Sequence, residues 1–479
     1  MLDPGRGMSL PSKKTQVVVI GAGISGLSTA YRLSRAGLDV LVLESADRAG
    51  GVVMTERSEG FLVDLGPTSM LETSPKIRAF IDEIGLGDQR LYGNEQAQRR
   101  YILRGGRLRA LPMSPQAFLT TDAFSLRAKL RLLAEPFIKP APPDREETIA
   151  EFVKRRLGQE FLDYAINPFV AGVYAGDPKQ LSVRSAVRKV YELELKYGRP
   201  IKGQIKGARE RRRRGTGDKS KAKLFSFQEG MGHLPRALAE KLGDRVVTGA
   251  ALESLTPEAS GGFSCRYQHH EKLQSLTANA MVFAIPAHAA APFLEGLQSD
   301  IGPQLKSIPY ARVAVVFLGF SKPISCRPLD GFGFLVPEVE QRRILGTIWS
   351  STLFPRRAPE GGAALTTFVG GMRQPELAEL PEEALVSLVQ EELSGIMSLQ
   401  STPDFVRVKK WAQAIPQYEV GHSDKVAQLE RLEEAHPGLF ISGNFRAGVS
   451  AADCVLNSEG IAERVLVHLV SRKSEGRGS

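Results

Sequence analysis

The stretch Gln16-Val17-Val18-Val19-Ile20-Gly21-Ala22-Gly23-Ile24-Ser25-Gly26 decides the fold. A β-branched apolar run is what a buried parallel strand requires, and the glycines follow it at once in the spacing G-x-G-x-x-G. Ile24, Leu27, Tyr31 and Ser34 then recur at spacings of three and four, which predicts a helix with Gly37 as its stop. Asp39 to Leu43 reads as a second strand ending at Glu44, an acid 18 residues after Gly26. Glycines between a strand and a helix, with an acid at that distance, form a dinucleotide-binding fingerprint. In it Gly21 makes the turn, Gly23 lets a pyrophosphate approach, and Gly26 packs helix on sheet. Ala22, Ile24 and Ser25 complete the phosphate turn, and Glu44 accepts hydrogen bonds from ribose hydroxyls.

Outward from Glu44 the chain reads Ser45-Ala46-Asp47-Arg48-Ala49-Gly50-Gly51-Val52. A cation and a second glycine turn directly after the ribose acid suit neutralisation of the same pyrophosphate. This E-x-x-x-R-x-G-G pattern resembles the flavin amine oxidase superfamily, and the resemblance implies FAD. Further on, Gly60 to Ser69 reads as a strand breaking into the turn Gly66-Pro67-Thr68-Ser69, whose N–H groups and short hydroxyls suit a flavin edge.

The remainder bounds the class. The chain has 479 residues, 42% hydrophobic and 24% charged, which predicts a globular protein with ample core and about three domains. Cys265, Cys326 and Cys454 are far apart, so neither a disulfide framework nor a metal site is expected, and a reducing compartment fits. No run of apolar residues is long enough to span a bilayer. The net charge of +10 permits an anionic partner, but no nucleic-acid motif accompanies it.

Arg99 to Leu103 and Leu108 to Leu111 predict a hairpin about Gly105-Gly106. Residues 118–200 turn helical, and Leu126, Leu130, Leu133 and Phe137 share one face beside Arg127, Lys129 and Arg131. Such a helix suits a membrane surface, although taken alone it is expected to pack that face into a core. Asn167 to Pro178 reads as a small-residue turn able to line a pocket. Residues 201–223 carry ten Lys/Arg against Glu210 and Asp218, a net of 10 − 2 = +8, and read as a solvated basic loop. From Leu224 the chain returns to the nucleotide-binding region, and residues 307–415 alternate strand runs and turns.

Arg100-Tyr101-Ile102, Pro168 to Gly172, Gly331 to Pro337, Thr366 to Gly371 and Ile415-Pro416-Gln417-Tyr418 together resemble protoporphyrinogen oxidases over about residues 15–470. The resemblance implies an amine-oxidase-like fold, also like p-hydroxybenzoate hydroxylase. Its parts are a Rossmann-type FAD-binding domain (15–90, 224–300, 416–470), a mixed-sheet substrate domain (91–117, 301–415), a helical membrane-associated insertion (118–200) and the basic loop (201–223). It implies oxidation of protoporphyrinogen IX by FAD with molecular oxygen as acceptor, six electrons leaving in three two-electron steps. Arg100 is the implied propionate cation; Leu335, Ile348 and Phe368 are apolar walls, and Gly172 is a backbone contact. Implied cofactor contacts are Ser45, Val52, Gly66, Pro67, Thr68, Ser69, Val449, Ser450 and Ala451, with Ala251 and Trp411 further out. No side chain is expected to act as nucleophile or base. Plant members often carry an amide where this chain has Thr68. The expected setting is cytoplasmic, peripheral on the anionic surface of an inner membrane, with a homodimer left open. Three alternatives also stay open: coproporphyrinogen III oxidation, another flavin amine or carotenoid oxidase, and a non-catalytic binder like the Rab GDP-dissociation inhibitors.

Overall fold

A computed structural model describes residues 13–97, 99–112, 114–142, 145–198 and 222–475. The basic loop therefore lies almost wholly outside the described residues. Two seven-stranded sheets organise the molecule.

In the first, Lys13–Ile20 lies between Val40–Leu43 and Lys272–Phe283, parallel to both, with Val17 level with Val40 and Ala280. Val246–Val247 extends it beyond Val40–Leu43, and Leu439–Ile441 pairs with Lys272–Phe283. Val17, Val18 and Val19 are fully buried, as strands covered by helices on both faces must be. The first helix spans Ile24–Arg35 and stops before Gly37, whose φ of +83° suits glycine. Along it packs the last helix, Ala451–Glu475, where Arg32 Nε donates to Ser458 Oγ at 3.0 Å.

The second sheet runs in the order Phe405–Pro416, Tyr310–Phe320, Ala363–Gly370, Gly346–Ile348, Gly331–Leu335, Arg99–Arg104, Arg107–Ala110. Gly331–Leu335 and Arg99–Arg104 are parallel; the other neighbours are antiparallel. One face carries the helix Glu382–Met397, and Phe334, Trp349, Leu365 and Val369 are buried in the apolar cluster on that side. The other face carries the candidate site residues Arg100, Leu335, Ile348 and Phe368.

Two expectations are corrected. Asn167–Tyr174 is a helix, ended by Ala175 at φ +48°, and the turn begins only there. The apolar stripe at Leu126 to Phe137 is not packed into a core. The helix Leu126–Leu133 ends before Pro136, and Leu126, Leu130, Leu133 and Phe137 remain exposed, Phe137 at 84%. The helix is instead secured through its polar side, where Arg131 donates to the Arg155 carbonyl at 2.7 Å, and in the turn that follows the buried Glu135 pairs with the buried Arg156 at 3.5 Å. No helix among the described residues is long and apolar enough to cross a membrane.

Candidate active site

The phosphate turn is shaped by close approach. A Cβ at Gly21 would lie 2.6 Å from Ile285 Cγ2, and one at Gly26 would lie 1.9 Å from the Gly21 carbonyl oxygen. At Gly23 a Cβ would meet no protein atom within 4 Å. Protein packing therefore does not require glycine there, which fits close approach by a phosphate group. Gly50 N donates to Ala22 O at 2.8 Å, which sets the second glycine turn against the first. Glu44 accepts from Ala22 N at 2.7 Å through Oε2 and from Ala46 N at 2.9 Å through Oε1. Each oxygen keeps a lone pair for a ribose hydroxyl. Arg48 donates to the Gly51 carbonyl at 2.8 Å, so its exposed guanidinium stiffens the turn that carries it.

Further elements close on this cradle. A Cβ at Gly66 would come 1.9 Å from the Val52 carbonyl oxygen, so the Gly66–Ser69 turn lies directly on the second glycine turn. Trp411 Nε1 donates to Leu65 O at 2.7 Å, tying the second sheet to it. Ser450 Oγ accepts from Asp453 N at 3.1 Å and caps the last helix. Val449 and Ala451 flank that cap. Ser25 lies close to Cys454 near the starts of the two helices, and Arg32 meets Ser458 further along, so both N-termini lie at one end. Their positive dipole ends favour a pyrophosphate. Ala251 follows Ala250, whose N–H donates to the Glu44 carbonyl at 2.7 Å.

The substrate residues are brought together by register. Across the second sheet Phe368 pairs with Gly346, Gly346 with Leu335 and Leu335 with Ile102. On the adjacent rung Thr366 pairs with Ile348, Ile348 with Gly333 and Gly333 with Arg100. Paired residues share a face and so do alternate residues along a strand. Arg100, Leu335, Ile348 and Phe368 therefore line one surface. Gly172 meets it from the helix, since a Cβ there would come 2.9 Å from Leu335 Cδ2. Thr68, from the cradle, shares a small cavity with Ile348, Ser350 and Thr366.

Alternation also separates two neighbouring arginines. Arg99 and Tyr101 both bond Asp330, each at 2.7 Å. Arg100 points the opposite way, exposed, its Cζ 5.5 Å from the Phe332 ring centroid and with no carboxylate partner among the described residues.

Some neighbours escape sequence reading. Phe169 and Val173 stand exposed on the helix beside Gly172, visible only once that segment is helical. Asp64 and Arg357 form a buried pair at 3.2 Å beside the Thr68 cavity. Burial pushes the Asp64 carboxyl up against the opposing pull of Arg357, and lowers the Arg357 guanidinium. Lone Asp and Arg residues nearly three hundred positions apart carry no sequence signal for such a pair.

The cradle fits a flavin dinucleotide: open space at Gly23, converging helix N-termini, and a ribose acid with free lone pairs. Residues 24–466 match the family model described as flavin-containing amine oxidoreductase. The chain belongs to this family. Among flavin-containing amine oxidoreductases it is 34% identical over 463 residues to the chloroplastic protoporphyrinogen oxidase 1 of Arabidopsis thaliana, covering 92% of this chain and 86% of that protein. It is 36% identical over 460 residues to the chloroplastic protoporphyrinogen oxidase of Oryza sativa subsp. japonica, covering 91% and 85%. A crystal structure from Exiguobacterium sp. 255-15, provisionally assigned to protoporphyrinogen oxidase, superposes with a TM-score of 0.79 at 24% identity, over 96% of this chain and 100% of that one. At that identity the superposition speaks to fold alone.

Proposed function

We propose that the protein oxidises protoporphyrinogen IX to protoporphyrin IX, with FAD in the cradle and molecular oxygen as acceptor. The observation that carries this reading is the shared face of Arg100, Leu335, Ile348 and Phe368, set against the turn at Thr68. A flat apolar macrocycle with acidic arms needs such a face: apolar walls, one cation without a partner, and little acid–base machinery. Arg100 takes a propionate, Leu335 and Ile348 hold one side of the ring system, Phe368 the other, and Gly172 lets the helix approach. FAD held by these residues would supply the two-electron acceptor, with molecular oxygen as the final oxidant. The chain's own contribution is orientation and exclusion of water. Glu44, Arg48 and the residues of the Gly66 and Val449 turns serve the cofactor, and the domain division given above serves this arrangement.

A coproporphyrinogen III oxidase of Bacillus subtilis is 28% identical over 475 residues. Its substrate, with four propionates, calls for more cations. Anaerobic mixing of the yellow protein with each porphyrinogen tests the reading: protoporphyrinogen is expected to bleach the flavin faster. Preferential bleaching by coproporphyrinogen transfers the assignment to that substrate.

The exposed stripe at Leu126, Leu130, Leu133 and Phe137, joined by Leu119, supports peripheral attachment to an anionic inner-membrane surface. Basic residues near such a surface contribute about 1 kcal/mol each, so vesicle binding is expected to weaken in high salt. Equal binding to neutral and anionic vesicles would remove the electrostatic part.

A further inference from the structure

Gln417 and Tyr418 stand where three parts of the molecule meet. The Gln417 side-chain amide donates to the Tyr174 carbonyl at 2.9 Å, at the end of the helix that carries Gly172. The Tyr418 carbonyl accepts from Ser182 N at 2.8 Å, within the helical segment. The Tyr418 hydroxyl lies in the loop that precedes the last helix: it donates to the Asn444 carbonyl and accepts from Gly448 N at 2.9 Å. Gly448 precedes Val449 and the Ser450 cap directly. It has φ +126° and so adopts a conformation that other residues rarely hold.

The phenol is built in rather than draped. Tyr418 is buried, stacked on His422 with ring centroids 4.3 Å apart and planes 13° apart. Burial pushes the phenol well above its ordinary value, which keeps it a proton donor toward Asn444, and lowers His422 to about 4, so the imidazole beneath it is neutral. Nothing but this hydroxyl is seen holding the Gly448 N–H among the described hydrogen bonds.

We propose that Tyr418 is a positioning residue for the cofactor: its hydroxyl fixes the Gly448–Ser450 turn, and so the N-terminus of the last helix, while its main chain fixes the helical segment. Docking of that segment and retention of the flavin thereby share one strut. The inference rests on the flavin assignment alone, not on the identity of the substrate.

Tyr174 supplies the matched control. Its hydroxyl donates to the Ala186 carbonyl at 2.7 Å, and its ring lies 6.3 Å from that of Tyr418, but it makes no bond to the cofactor loop. Loss of two neutral hydrogen bonds predicts that Tyr418→Phe releases FAD from the holoenzyme about 10-fold faster, read from the rise of free-flavin fluorescence on dilution. Tyr174→Phe is expected to release it at the wild-type rate. Melting without FAD is expected to show the smaller gap between Tyr418→Phe and wild type, with the gap widening to a limit as FAD is raised. Wild-type release from Tyr418→Phe, equal acceleration in both variants, or a melting deficit independent of FAD concentration would each overturn the proposal. A wild-type protein without flavin would instead refute the functional reading itself.

Discussion

The second sheet offers two faces built from the same strands. On one, Phe334, Trp349, Leu365 and Val369 are packed as core in one apolar cluster with the helix Glu382–Met397. On the other, one residue along each strand, Leu335, Ile348 and Phe368 stay half-buried, and Arg100 stands exposed with no counter-ion among the described residues. Period-two alternation assigns core and site to the same few segments. A slip of one residue in register would exchange them. The bulge between Gly331 and Gly333 matters for this reason, because it brings Gly333 level with Arg100.

The largest effect tests the cradle on which the open face depends. A Cβ at Gly23 meets no protein atom within 4 Å, so the fold of Gly23→Val is expected to survive while the protein purifies colourless. A yellow variant with full flavin would separate the turn from the cofactor. Next comes the contrast between the faces. Phe334→Ala removes a ring that is 3% exposed and is expected to cost about 3–5 kcal/mol of stability in denaturant melts. Phe368→Ala is expected to cost much less stability and to lower turnover instead. Reversed outcomes would show that the faces have been misassigned.

The glycine turns and Glu44 are marked locally in the sequence, because glycines under close approach and an acid at fixed distance leave local marks, and the fold sets these residues against one another. The helical segment was legible as helix but not in its exposure. Spacing at Leu126, Leu130, Leu133 and Phe137 defines a stripe without saying what covers it, and the chain leaves it bare. Asn167–Tyr174 reads as a turn in sequence because Pro168 and Gly172 punctuate it; the helix is held by its tertiary setting, with Asn167 bonded to Glu338 and Arg373. The open face depended on register between segments more than two hundred positions apart, which a resemblance can supply and local pattern cannot. Tyr418 carried no local mark, since its partners come from Ser182, Asn444 and Gly448.

Smaller effects sharpen the open face. A charge-assisted hydrogen bond contributes about 1.5–3 kcal/mol, so Arg100→Ala is expected to raise KM roughly 10- to 100-fold with flavin content unchanged. Unchanged kinetics would send the propionate elsewhere. Joint replacement of His269 and His270, which turn between two strands of the first sheet, is expected to leave turnover as it is.

The central claim is that this face and the cradle together make an oxygen-dependent porphyrinogen oxidase. Peroxide formed per porphyrin, with oxygen as sole acceptor, tests it most directly. The account predicts about three peroxides for each protoporphyrin, one for each two-electron step at the flavin. A ratio near zero, in a protein that still binds FAD, would contradict it.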